Sequence, residues 1–310
     1  MSMPTWKAAS RITFDQDYLD SGCTLAYDDQ TGVDNTVGTY ATNFVIAGVC
    51  FTAAAKLFKC RGDQSHVPDI QEPPGLHHHG HGHVQLSLFY LFTAVSFLVG
   101  AVNHLIVERK DDVEKHVTER ISYSFYGIAS ILLFHFGMKL LGVTRTSDVN
   151  LKKIIWWSFT VSSLIVLTYF IAIKSILFVG IFNIVTCLFM IIVYILQSCE
   201  MRGQGNGNTN ERKNSYLVLK VLGVVTMIVG PLLQVFLSPT CGHDAYETCF
   251  EDCPLPDPTV FNHNALFHVV YMFGLIILAC VEVISPSIVA KGAGSKTIEE
   301  IRIVGDKEDA

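Results

Sequence analysis

Charge is scarce in this chain: 16% of its 310 residues are Asp, Glu, Lys or Arg, against about 25% in an ordinary soluble domain. Half of the residues are hydrophobic and the mean hydropathy is +0.39. Several familiar signatures are missing as well. No Gly-rich phosphate loop sits beside a strand–helix unit, which removes the usual nucleotide folds. A net charge of −6 and the lack of a basic patch give nucleic acid nothing to bind. No Ser-His-Asp arrangement and no Asn-x-Ser/Thr acceptor for glycans stands out. No apolar leader precedes the first hydrophobic run, since residues 1–40 are polar and acidic.

What the chain has instead is long apolar runs. A bilayer core takes about 20 residues of helix per crossing. Seven stretches meet that length: Ala41–Phe58, Val84–Val107, Ile121–Val143, Ile154–Ile173, Ser175–Leu196, Leu217–Leu237 and Val260–Ile284. The fourth and fifth are separated only by Lys174. Their combined length is too great for one crossing, so two helices joined by a tight turn are predicted. The expected fold is all-α, a polytopic seven-transmembrane helix bundle occupying residues 41–285. An acidic tail, 1–40, would precede it and a polar tail, 286–310, would follow.

Charge and cysteine give the same orientation. With the N-terminus outside, the inner segments carry 15 of the 22 Lys and Arg, which is the positive-inside pattern for N-out/C-in. The outer segments then hold 16 of the 28 acids, so the outer face is acidic. Cys23 in the N-terminal tail and Cys241, Cys249 and Cys253 in the outer loop 238–257 all fall on that oxidising side. An even set there predicts two disulfides, with the connectivity open. Cys50, Cys187 and Cys280 lie within spans and read as packing residues. A multi-pass protein of the plasma membrane or an endomembrane is expected, with lipids as its constant partners.

Histidine carries the chemical clues. The inner loop 59–83 holds His77, His78, His79, His81 and His83, enough imidazoles to bind zinc, nickel or copper loosely; a flexible linker with incidental metal affinity explains them as well. His104 ends the second span beside Asn103, and Glu119 opens the third. The seventh opens with Phe261-Asn262-His263-Asn264-Ala265-Leu266-Phe267-His268. In a seven-span topology these segments meet at the outer end of the bundle. His104, His268, His263 and Glu119 would make a zinc set with a position left for water. A hydrogen-bonded network of Asn103, Asn264 and these histidines that fixes helix packing accounts for the same residues. His135, deeper in the third span, reads as an interhelical hydrogen-bonding histidine.

Two resemblances follow from these residues. Gly100-x-x-x-His104 and Asn264-x-x-x-His268 resemble the pattern of the CREST superfamily of seven-helix membrane proteins, which includes alkaline ceramidases and the progestin and adipoQ receptors. That pattern has Ser-x-x-x-His in span two and His-x-x-x-His in span seven around zinc. Here Gly100 stands in place of the Ser and Asn264 in place of a His, and no matching Asp is identified. The resemblance implies a zinc-dependent lipid amide or ester hydrolase. The run Phe261–His268 is also similar to uncharacterised bacterial membrane proteins carrying FNHND-L-x-H, with Ala265 in place of their Asp.

Three functions therefore stand as expectations. One is the zinc hydrolase. Another is a non-enzymatic receptor or sensor that binds a small-molecule or lipid ligand. The third is a metal-ion transporter using the His77–His83 loop, although the fourth to sixth spans offer only Asn183 and Gln234 at membrane depth.

Overall fold

A computed structural model describes residues 37–64, 79–106, 113–142, 176–203, 208–237, 261 and 264–283, together with 157, 160–161, 163–165 and 168. Six helices are long and apolar enough to cross a membrane. They are α1 (Val37–Gln64), α2 (His79–Ile106), α3 (Val113–Gly142), α4 (Ile176–Gly203), α5 (Asn208–Leu237) and α6 (Asn264–Val283). Helical residues between 157 and 168 mark a seventh helix between α3 and α4. Among the described residues there is no strand.

The seventh crossing also follows from contacts elsewhere. Asn183 of α4 pairs with Ser130 of α3, and Met190 of α4 packs at Gly137 of α3. The numbers rise together along both helices, so α3 and α4 run parallel. The chain between them has to return the length of the bundle. By the same reasoning α1 and α6 are parallel, because Thr42 near the start of one meets His268 near the start of the other. Six crossings must separate those two starts.

The helices outrun their apolar cores. Helix α1 continues to Gln64, α2 begins at His79 rather than Val84, and α3 begins at Val113. Helical hydrogen bonding does not stop at the membrane boundary, and the straight-chain residues Glu114, Lys115, Glu119 and Arg120 are good helix formers. His79, His81 and His83 thus belong to the backbone of α2 rather than to a loop, and Glu119 lies inside a helix.

Sequence neighbours pack in order, α1 on α2, α2 on α3, α3 on α4 and α4 on α5. Helix α6 then touches all five. Its His268 reaches Thr42 of α1 and its Leu275 carbonyl accepts from Tyr90 of α2. Tyr271 meets Tyr126 of α3, Glu282 accepts from Tyr194 of α4, and Gly274 meets Gly223 of α5. Residues 268, 271, 275, 278 and 282 form one helical stripe, all buried, while Phe273 and Cys280 face outward. Exposed Ile181, Val185, Leu188, Ile192 and Ile195 line α4 in the same way. That inversion suits hydrocarbon solvent, in which apolar side chains gain nothing by burial and polar ones must find partners inside.

The tightest seam is α5 against α6. A Cβ on Gly274 would lie 2.6 Å from the Gly223 carbonyl oxygen and 2.8 Å from the Met227 nitrogen, and one on Gly230 would lie 3.1 Å from the Phe267 carbonyl. Only glycine lets the two backbones approach so closely. Gly274→Val is therefore expected to cost about 2 kcal/mol or more through overpacking, and to lower the thermal midpoint of purified protein by several degrees. Gly48→Ala, where nothing lies within 4 Å, should leave that midpoint unchanged or raise it slightly.

Candidate functional site

Two groups of buried polar side chains lie at opposite ends of α6. They are separated by fourteen residues from His268 to Glu282, about 21 Å of helix.

The first is built around His268, which is 4% exposed. Its Nδ1 lies 3.0 Å from Thr42 Oγ1, and that hydroxyl also lies 2.6 Å from the Gly38 carbonyl of its own helix. A threonine has one hydroxyl proton. Given to the nearer Gly38 oxygen, it leaves Thr42 as acceptor and makes Nδ1–H the donor, which places the lone pair of the neutral ring on Nε2. Phe97 of α2 meets the imidazole edge-on at 5.5 Å, and Phe267 lies at 4.8 Å.

Towards the same end of the bundle, α2 and α3 are tied by further polar groups. Ser96 and Ser122 exchange hydroxyl-to-carbonyl bonds of 2.9 Å in both directions. The Thr118 hydroxyl donates to Asn103 Oδ1. Gly100 faces Asn43 and Ser122, where an added Cβ would make only ordinary contacts at 3.7–3.8 Å. The end of α2 and the starts of α3 and α6, expected on one side of the bundle, lie at the same end of it as the start of α1.

The individual ligand candidates fare differently. Tyr90 opposite Leu275 and Phe97 opposite His268 set an antiparallel register between α2 and α6. His104, seven residues past Phe97, lies about 10 Å further along α2, level with the start of α6 rather than with His268. It is half-buried, as are Glu119 and Asn264. Among the described residues no three His, Cys, Asp or Glu side chains are grouped to hold a metal ion. His104, His268 and Glu119 are all described; His263 lies outside the described residues, as do His77, His78, Cys23, Cys241, Cys249 and Cys253. Cys50 and Cys187 are free and buried, and Cys280 is free and exposed. His135 bonds Thr160 at 2.8 Å through Nε2, the interhelical role its position suggests.

The second group was not singled out from the sequence. Glu282, 5% exposed, pairs with Lys220 of α5 at 2.8 Å. It also accepts the Tyr194 hydroxyl of α4 at 3.2 Å, and the Lys220 ammonium sits 5.5 Å above the Tyr194 ring. One carboxylate thus holds three helices together. The signal in the sequence is a pair of opposite charges, Lys220 and Glu282, close to the same side of two apolar spans.

Residues 38–238 match DUF6962, a family of unknown function. The chain belongs to this family. The match takes in α1 to α5 and ends before α6. No curated protein and no solved structure matches the chain.

A buried charge left without its partner is costly. Lys220→Met alone should therefore destabilise the protein by about 3 kcal/mol, whereas Lys220→Met combined with Glu282→Leu should recover most of the loss. Thermal unfolding of the two variants in one detergent checks this.

Proposed function

We propose that the protein is a non-enzymatic membrane receptor or sensor whose ligand engages the end of the bundle where His268 lies. The observation that carries this reading is the setting of His268: buried, hydrogen-bonded to Thr42 and packed edge-on against Phe97, with no three metal-ligating side chains grouped among the described residues. A zinc hydrolase of the kind implied by the CREST resemblance needs three protein ligands and an open position for water. The donors at this end are spent on one another across helices, as in a packing network. Charge asymmetry puts this end outside, beneath the acidic outer segments.

Helix α6 supports a transducing role because it joins both polar groups. A shift at His268 moves a helix in contact with five others, and the same helix carries the Glu282 ion pair at its inner end. This support is spatial; coupling requires two arrangements biased from both ends.

Protein lacking His77–His83 should contain far less than one zinc per chain by elemental analysis. Cells carrying His104→Ala or His268→Ala should show no specific lipid accumulating. Stoichiometric zinc, or a lipid that builds up only in the variants, would overturn the receptor reading in favour of hydrolysis.

A further inference from the structure

Four tyrosines place their hydroxyls in the interior of this bundle, and they fall into two classes. Tyr90 donates to the Leu275 carbonyl at 2.8 Å and Tyr194 donates to Glu282 at 3.2 Å. Tyr126 of α3 and Tyr271 of α6 have hydroxyls equally shut off from solvent; the two are close enough to interact with each other, but neither makes a hydrogen bond of good geometry to any group. An unmet buried hydroxyl costs about 1–3 kcal/mol. The fold that satisfies two phenols leaves two others unsatisfied side by side.

These two belong to one nest. Their rings lie 6.1 Å apart at 60°, and Phe97 packs against both, at 6.1 Å from Tyr126 and 5.9 Å from Tyr271. His268, one turn before Tyr271 on α6, closes the same nest through its edge contact with Phe97. Tyr271 is fully buried. Tyr126 is partly exposed, although its hydroxyl is shut off from solvent.

We propose that Tyr126 and Tyr271 form a binding site for a neutral acceptor oxygen, a carbonyl or hydroxyl, on a lipophilic molecule that enters from the hydrocarbon. Two neighbouring phenol donors without a well-formed bond ask for an acceptor. Among the described residues the buried set contains no Lys or Arg, so a carboxylate there would be an uncompensated buried charge. Aromatic walls favour an apolar body behind the oxygen, and Tyr126, the partly exposed member of the pair, marks the side of entry. This deepens the receptor reading by naming the chemistry of its ligand.

The test uses the full chain in phosphatidylcholine nanodiscs, with 2-dodecanone, 1-dodecanol, dodecane and dodecanoate as probes of thermal midpoint. The ketone and the alcohol should raise the midpoint; dodecane and dodecanoate should not. Tyr126→Phe and Tyr271→Phe should each weaken the response to the oxygenated probes about tenfold. Without probe, both variants should unfold at or above the wild-type midpoint, because each removes an unsatisfied hydroxyl, whereas Tyr90→Phe should unfold lower. A fall in the unliganded midpoint of Tyr126→Phe or Tyr271→Phe like that of Tyr90→Phe would mean the hydroxyls bond each other or an internal water, and would overturn the proposal. Equal responses to dodecane and 2-dodecanone, or none to either oxygenated probe, would overturn it too. The receptor reading fails on different evidence, bound zinc or lipid turnover, so the two failures are distinguishable.

Discussion

The approach of α5 to α6 at Gly223 and Gly274 is the contact from which the rest of the bundle takes its geometry. With no side chain between the backbones at that point, α6 sinks far enough into the bundle to touch the other helices. Only at that depth can Tyr90 reach the Leu275 carbonyl and Glu282 lie between Tyr194 and Lys220. In lipid the apolar faces do not drive this packing, because tails are as good a solvent for leucine as a protein interior. Close backbone contact and satisfied polar groups do. Helix α6 uses both, a glycine at its middle and polar anchors near its ends.

The two ends differ in kind. Near the start of α6 the bonds are between neutral groups: imidazole to threonine hydroxyl, serine to serine carbonyl, threonine to asparagine. Such bonds are individually modest, about 0.6 kcal/mol on average between membrane helices, and they can be exchanged for others. Near the other end a full charge pair is held among three helices, and neither member can be left alone without a large penalty. The bundle is therefore more firmly clamped at the Glu282 end than at the His268 end. The aromatic nest of Phe97, Tyr126 and Tyr271 lies on the looser side.

Much of the architecture was legible because hydrocarbon imposes a simple rule on composition. Runs of about twenty apolar residues located the helices, and the count of seven survives in the parallel directions of α3 with α4 and α1 with α6. Ends were harder to place. Lys115 and Glu119 look like loop residues by hydropathy but continue α3 beyond the membrane. That the end of α2 and the start of α6 share one side of the bundle was readable from topology alone. The Thr42 partner of His268 was not, because a threonine in an apolar run carries no signal of which neighbour it faces. Glu282 was missed for a related reason: a charge near the end of a span reads as a boundary marker until its counter-ion is seen. The difference in level between His104 and His268 depends on helix register, which spacing within one helix cannot supply.

The Lys220–Glu282 pair also bears on how the chain is made. Lys220 leaves the ribosome well before Glu282, so α5 reaches the membrane while its ammonium has no counter-ion. Until α6 is synthesised, the long lysine side chain can keep its charge in water only by reaching to the headgroups, which holds α5 shallow. Glu282 then supplies the counter-ion at 2.8 Å. The helix that follows α5 in the chain thus completes its burial.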